Sequence, residues 1–174
     1  MTMDTDFDPE ADAGLAEFPT TDDRSYARRV ALQILYEVDS AGHDATEVMN
    51  QHLSSRDLTS RAARYTAFLV KGVDRHRDAI DPVIRRLAPE FPLELLAIID
   101  RNILRMAMLE FAVERRTPVG VAIDEAVELS KLFGADNTPS FVNGVLGALA
   151  DNSELMQVLN DAGAAAADPG ADPE

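Results

Sequence analysis

Apolar residues recur every three to four positions from about Ser25 to about residue 150, which is the spacing of helices that each bury one face. No stretch alternates apolar and polar residues for long enough to predict a pair of strands. Short connections separate the periodic stretches. The pattern therefore predicts an all-α bundle of six or seven helices, at about 25–41, 46–53, 59–89, 93–111, 118–133 and from 143 onward.

The stretch that follows Pro92 is the most apolar part of the chain. Because apolar residues occupy most sides of this predicted helix, we expect it to be the central one. A central helix of this kind divides a bundle into an N-terminal and a C-terminal half that pack against each other. The preceding stretch contains Asp81 and Pro82, so it is either one kinked helix or two helices.

The helix predicted at 118–133 carries signals at both ends. Thr117 is placed to accept hydrogen bonds from backbone N–H groups of the first turn, and Pro118 suits the first helical position. Gly134 is expected to end the helix in the left-handed conformation, and Gly42 is expected to end the first helix. The sequence therefore predicts well-defined boundaries for both helices.

The negative charge of the chain is concentrated at its two ends. The formal net charge is −15, but residues 1–23 hold eight acidic residues and residues 153–174 hold five, with no basic residue in either segment. Apart from a short helical extension through Leu155 and Leu159, both segments are predicted to be disordered tails. The 18 remaining acidic and 16 basic residues leave the predicted domain, 24–152, nearly neutral, so the overall charge does not exclude a nucleic-acid partner.

The composition also bears on the cellular compartment. The chain has no cysteine, which excludes disulfides, thiolate metal sites and cysteine nucleophiles and is typical of a reducing cytoplasm. No apolar run approaches the roughly 20 residues that a membrane-spanning helix needs, and acidic residues interrupt the N-terminus where a signal peptide would be apolar. We expect a cytoplasmic protein.

No set of residues in the chain predicts catalysis. The three histidines, His43, His52 and His76, have no partner at metal-ligand spacing. Asp124 and Glu128 form an i, i+4 pair without the further ligands that complete a metal site, and no glycine-rich phosphate loop follows a strand. We therefore expect no enzymatic activity, no metal and no cofactor.

The start of the first predicted helix is rich in arginine. Arg24, Arg28 and Arg29 are expected to be exposed there, where their guanidinium groups can contact phosphates, and Phe141 is the candidate ring for stacking an unpaired base. We expect Phe141 and the loop before it to lie near these arginines. The alternatives are a solvated helix end for the arginines and a core position for Phe141.

Four elements of the sequence resemble, in the same order, the NusB family of bacterial transcription antitermination factors. Together they cover residues 24 to about 150. They are ARRVALQILY from Ala27, the Tyr65 to Ile84 stretch, IDRNILRMA from Ile99 with Glu110, and VAIDEAVELSKLFG from Val121 followed by FVNGVL from Phe141.

This resemblance implies a fold of two linked three-helix subdomains and a function without enzymatic activity. It implies NusE, a small-subunit ribosomal protein, as a partner, and the boxA segment of nascent single-stranded RNA as a ligand. The complex would act with RNA polymerase to prevent termination, notably on ribosomal RNA operons. Members of the family occur as monomers and as homodimers.

The resemblance also implies roles for individual residues. By position, RNA contacts fall on Arg24, Arg28, Arg29 and Phe141, and contacts to NusE fall on Tyr36 and Asp100. An alternative for Asp100, Arg101 and Arg105 is that they form pairs inside the helical bundle.

Two other functions remain open at this point. NusB-like domains also precede ribosomal RNA methyltransferases, but no nucleotide-binding strand-glycine-helix unit follows residue 150. A protein-only scaffold that binds NusE or polymerase, with little affinity for RNA, is the second. The chain also departs from the family pattern by Phe91 in place of a frequent Trp and by Gly147 and Ala148 in place of a frequent Asp and Lys.

Overall fold

The computed structural model describes residues 23–167. Over this range the chain forms seven α-helices and no strand, which confirms the all-α prediction. The helices are α1 (Asp23–Ala41), α2 (Ala45–Ser55), α3 (Ser60–Leu87), α4 (Ile98–Met108), α5 (Val119–Phe133), α6 (Thr138–Ala150) and α7 (Ser153–Ala167); a 3₁₀ turn (Leu93–Leu95) precedes α4 and a π turn (Leu109–Val113) follows it.

Helix α4 and its π turn form the centre of the bundle. Every residue from Asn102 to Val113 is buried, as the apolar character of this stretch predicted. Helices α1, α2 and α3 contact one another and form one half, while α4, α5 and α6 form the other. Helix α4 also packs on α1 and α3, so one continuous apolar core runs through both halves.

Helix α3 is a single helix of 28 residues that continues through Pro82. The Pro82 ring is exposed, so the carbonyl that loses its donor lies on the side of the helix that water reaches. At the other end, the Thr59 hydroxyl oxygen accepts a hydrogen bond from the Ala62 N–H at 3.1 Å. The sequence left open whether this stretch is one helix or two, and the structure has one.

Two of the predicted helix ends are wrong in detail. The Thr117 side chain does not cap α5, because it turns inward and donates to Glu110 at 3.1 Å; Pro118 takes the cap position. Gly134 is extended (φ −91°, ψ 176°) rather than left-handed. Glycine is needed there for space, since a Cβ would lie 2.6 Å from the Thr138 side chain. Gly42 has a φ of +69°, as expected for a residue that ends a helix.

An ion-pair cluster joins the two halves of the bundle. The Arg105 guanidinium of α4 donates to both Asp81 oxygens of α3, at 2.8 and 2.9 Å, and to Asp39 of α1 at 2.9 Å. Burial would lower the pKa of Arg105, but the bonds and charges of Asp81 and Asp39 outweigh it and raise the pKa. Three helices thereby share one charged contact.

The C-terminal segment predicted to be disordered from residue 153 is helical as far as Ala167. Leu155 and Leu159 lie one turn apart and are both buried, so α7 gains enough apolar contact to fold against the π turn, α3 and α6. The short extension that the sequence indicated is therefore longer than expected. Residues 1–22 and 168–174 of the two predicted tails lie outside the described residues.

Replacing Gly163 with alanine tests the contact between α7 and the π turn. An added Cβ would overlap the backbone carbonyl of Val113, which cannot move without shifting the turn. We expect Gly163→Ala to lower the free energy of unfolding by about 1–3 kcal/mol, measured by urea denaturation.

Gly147→Ala in α6 is the matched control. A Cβ at Gly147 would meet no atom within 4 Å, and alanine favours a helix by roughly 0.5–1 kcal/mol over glycine. This variant should be as stable as the wild type or more so. Equal stability of both variants and the wild type would show that α7 does not pack closely on the turn.

Candidate nucleic-acid interface

Arg28 is buried, contrary to the prediction that it is exposed at the start of α1. It lies four residues before Leu32 and seven before Leu35, so it shares the buried face of α1 with these leucines. Its guanidinium donates to Glu110 of the π turn at 2.8 and 3.1 Å, and it also lies 3.5 Å from Glu125. Arg28 therefore cannot contact a ligand at the surface.

Glu110 is the centre of a buried polar cluster. Besides the bonds from Arg28, it accepts hydrogen bonds from the Tyr65 hydroxyl and, at 3.1 Å, from Thr117. Burial would lower the pKa of Arg28, but its hydrogen bond to Glu110 and the Glu110 charge raise it. Burial and the same carboxylate raise the pKa of Tyr65. The cluster holds an arginine that stays charged and a tyrosine that stays protonated.

The backbone of Glu110 also positions the loop that follows the π turn. The Arg116 N–H donates to the Glu110 carbonyl at 3.0 Å, and the Thr117 N–H donates to the same oxygen at 3.3 Å. Between them and the turn, Arg115 adopts a φ of +55°, a conformation that costs energy for a residue with a Cβ. The loop is thus bent back so that Arg116 faces α3.

An open, basic cavity of about 560 Å³ lies beside this loop. We call it the basic cavity, and its lining residues are Asp23, Arg24, Arg61, Arg64, Tyr65, Phe68 and Arg116. The Arg24 guanidinium lies 5.1 Å from the centre of the Tyr65 ring, and that of Arg116 lies 4.5 Å from the centre of the Phe68 ring. Cations over aromatic faces are stabilised by the ring electrons.

Of these cavity residues, the sequence predicted only Arg24 as an RNA contact. Arg61, Arg64 and Phe68 follow one another at three- and four-residue spacing on α3, so a basic and aromatic face was visible there. Arg116 comes from a loop, and nothing local places it against Phe68. Arg24 is exposed as predicted, whereas Arg29 is only partly exposed.

Phe141 lies in a different part of the molecule from the basic cavity. It is partly buried against the core, and its ring meets that of Phe91 edge-on, with 5.6 Å between ring centres. The two rings line a separate cavity of about 370 Å³ that shares no residue with the basic cavity. The expected proximity of Phe141 to the arginines of α1 is therefore not observed.

The two residues assigned to a protein partner have different surroundings. Tyr36 is 45% exposed on α1, and its hydroxyl forms no hydrogen bond with another residue in 23–167. Asp100 is partly buried and accepts a hydrogen bond from Thr138 at 3.0 Å, while burial raises its pKa. Asp100 thus helps to hold the start of α6, which limits how far it can reach a partner.

Arg101 and Arg105 form pairs inside the bundle, as the alternative interpretation had it. Arg101 donates to Asp39 at 3.1 Å and Arg105 donates to the same oxygen at 2.9 Å. These contacts join α4 to α1 three residues beyond Tyr36. Arg105 is buried and Arg101 keeps 17% of its side chain exposed, so both guanidinium groups are directed to Asp39.

Within residues 23–167, no group of three or more His, Asp or Glu side chains is arranged to hold a metal ion. In the same range, no helix has the length and apolar character needed to cross a membrane.

Residues 25–151 match the sequence model of the NusB family. A transcription antitermination protein NusB from Dehalococcoides mccartyi is 42% identical over 141 residues, which is 79% of this chain and 99% of that protein. A protein of the same name from Chloroflexus aggregans is 38% identical over 128 residues, covering 72% of this chain and 85% of its relative.

Solved structures agree with the sequence matches. A structure of T. maritima NusB aligns with a TM-score of 0.68 and 27% identity over 77% of this chain and 96% of that one. A crystal structure of the antitermination factors NusB and NusE in complex with dsRNA aligns with a TM-score of 0.69 and 26% identity, over 76% of this chain and 98% of the matched chain.

Replacing Glu110 with glutamine tests the buried cluster. The change leaves the Arg28 charge buried with only the more distant Glu125 to balance it, and a buried charge without its partner is strongly unfavourable. We expect Glu110→Gln to lower the free energy of unfolding by about 3 kcal/mol, measured by urea denaturation at neutral pH.

A double variant separates charge from hydrogen bonding. In Arg28→Met with Glu110→Gln, the glutamine carbonyl still accepts from Tyr65 and Thr117, and no buried charge is left without a partner, since Glu125 is 30% exposed. This variant should be more stable than Glu110→Gln alone. A double variant as unstable as the single one would mean that the uncompensated charge is not the cause of the loss.

Proposed function

The chain belongs to the NusB family, and on that premise we propose that it acts in transcription antitermination by binding boxA-type RNA together with NusE. The proposal covers the resistance of RNA polymerase to termination, notably on ribosomal RNA operons. It also places the protein in the cytoplasm, where transcription occurs, and assigns it binding rather than catalysis. The relatives that carry this name match nearly the whole described domain, which supports a shared role.

The RNA part of the proposal rests on one observation above all, the exposed Arg24 guanidinium beside Tyr65. It combines a charge that attracts phosphate with a ring that is fixed by its bond to Glu110. Single-stranded RNA is commonly bound by such pairs of charge and flat surface. Arg29 and Phe141 remain proposed contacts, and Phe141 would take a base at a second place. Arg28 is omitted, since it supports α1 and Tyr65 from inside.

The partner part of the proposal assigns NusE to the face around Tyr36. A half-exposed tyrosine offers apolar area and a hydroxyl at little cost in conformational entropy, which is why tyrosine is frequent at interfaces. Asp100 belongs to the proposed interface mainly through its backbone position, because its carboxylate is engaged by Thr138. The related complex contains NusB, NusE and dsRNA, which supports joint binding.

The burial of Arg28 gives the protein-only scaffold some support. It removes one of the three arginines that the sequence assigned to RNA, and seven acidic residues precede Asp23. A scaffold of this kind would bind NusE but would have little affinity for RNA. Measuring the two affinities separately distinguishes it from the proposed function.

Arg24→Ala and Phe141→Ala test the RNA contacts. Each is expected to weaken binding of a boxA-type RNA to the complex with NusE by about 1–3 kcal/mol, through the loss of a phosphate or stacking contact. Fluorescence anisotropy with a labelled RNA measures this. Lys131→Ala is the control, since Lys131 is exposed and, among residues 23–167, pairs only with Glu128. Unchanged affinity in both variants would overturn these two contacts, and no RNA binding by the wild-type complex would support the scaffold.

Tyr36→Ala tests the partner surface in the absence of RNA. Truncating an exposed aromatic anchor typically costs about 1–2 kcal/mol or more of binding energy, while the fold should tolerate the change because the ring is half exposed. Isothermal titration of NusE into the wild type and the variant measures the difference. Equal affinities would place NusE on another face.

A further inference from the structure

We propose that the basic cavity binds one unstacked base of single-stranded RNA together with its flanking phosphates, through Arg61, Arg64 and the stacked pair of Arg116 and Phe68. This inference rests on the proposed function and extends it, because Arg61, Arg64 and Arg116 lie outside the motifs that resemble the family. Its four arginines and single aspartate give the cavity lining a charge of +3. The lining comes from α1, α3 and the loop before α5.

Arg61 and Arg64 supply the phosphate contacts. Both are exposed, and neither forms an ion pair with any residue in 23–167, unlike Arg85 and Arg86 at the other end of α3, which pair with Glu94 and Glu154. Their charge is therefore available to an anion.

Their place in the helix adds a second argument. Arg61 and Arg64 lie in the first two turns of α3, whose first turn has no acidic residue. Positive charge at a helix N-terminus is unfavourable with the helix dipole, whereas an anion is favourable there. A bound phosphate would relieve this repulsion and interact with the guanidinium groups at the same time.

Arg116 and Phe68 supply a surface for the base. Arg116 places its planar guanidinium over the Phe68 ring, 4.5 Å from the ring centre, and it is an exposed residue that lines the cavity. Bases stack on guanidinium planes as they do on aromatic rings. Tyr65 lies beside Phe68 with 5.4 Å between the ring centres. The two rings form one wall of the cavity, and the Arg24 and Arg116 guanidinium groups lie over them.

The cavity is preformed in size and position. A volume of about 560 Å³ is within the usual range of small-ligand sites, roughly 300–1,000 Å³. Tyr65 is fixed by Glu110, and the Arg116 N–H is bonded to the carbonyl of the same residue. Because these groups are already ordered, binding loses less conformational entropy. An acidic peptide would satisfy the arginines but would make no use of the stacked planes, which favours a nucleotide.

The test compares four variants of the full chain in complex with NusE, with a labelled boxA-type RNA as the probe. Arg61→Ala with Arg64→Ala removes the proposed phosphate contacts, and Arg116→Gln and Phe68→Leu each remove part of the stacking surface. Arg86→Ala with Lys131→Ala is the matched control, because it removes two exposed charges that line neither cavity. Thermal unfolding of each variant confirms that it is folded.

We expect the Arg61/Arg64 variant to bind RNA roughly tenfold more weakly and to reduce the slope of log affinity against log salt by about 1.4, for two phosphate contacts on a single strand. Arg116→Gln should weaken binding by roughly fivefold or more without a change in unfolding temperature. The control should bind like the wild type. Phe68→Leu should weaken RNA binding to a similar extent as Arg116→Gln. If Phe68→Leu also lowers the unfolding temperature, the RNA affinity of Arg116→Gln alone tests the stacking contact.

Three results would overturn the inference, and they are distinguishable. If the wild-type complex binds RNA and Phe141→Ala, which lies outside the basic cavity, weakens it, but the cavity variants do not, the cavity inference fails and the proposed function stands. If the cavity variants lose affinity for NusE without RNA, the cavity is a protein-binding surface. If the wild-type complex binds no RNA, both proposals fail together. Photocrosslinking with 4-thiouridine RNA to a peptide containing Tyr65 and Phe68 would support the inference directly.

Discussion

The buried ion pair between Arg28 and Glu110 is the interaction on which the rest of the proposed RNA surface depends. Moving both charges out of water is unfavourable unless their remaining hydrogen-bonding capacity is satisfied, and here Tyr65 and Thr117 complete the set. The side chain of Glu110 thereby fixes α1, α3 and the start of α5 relative to the π turn. Its backbone carbonyl fixes the loop that carries Arg116. One residue thus couples internal charge balance to the geometry of the surface.

The arginines of this protein fall into two groups, those that form buried ion pairs and those that line a surface cavity. Arg28 and Arg105 lie on buried faces and neutralise carboxylates that join helices, Glu110 in one case and Asp39 with Asp81 in the other. Arg24, Arg61, Arg64 and Arg116 instead surround one cavity. A high arginine content is therefore no measure of how much RNA-binding surface a helical protein of this family has. The start of α1 contains both kinds within five residues, Arg24 and Arg28.

Periodicity predicted the helices and the central position of α4, because these depend on spacing within one segment. Burial of Arg28 was also contained in the sequence, since its distance from Leu32 and Leu35 places it on the apolar face. The basic cavity was not predictable in this way, because Arg24, Phe68 and Arg116 are brought together from segments about forty residues or more apart. Thr117 was misassigned as a cap because a π turn, not visible as a pattern, brings it back to Glu110. Helix α7 rests on little more than Leu155 and Leu159, too short a pattern to predict its full length.

Helix α7 packs against the π turn and restricts its movement. Gly163 lies so close to Val113 that only a residue without a side chain fits, and Val113 is three residues from Arg116 in sequence. The π turn is therefore held by two contacts, the ion pair of Glu110 with Arg28 and the packing of Gly163 in α7 against Val113. The stiffness of the proposed RNA surface is consequently set in part by α7, so removing this helix would loosen the loop that carries Arg116.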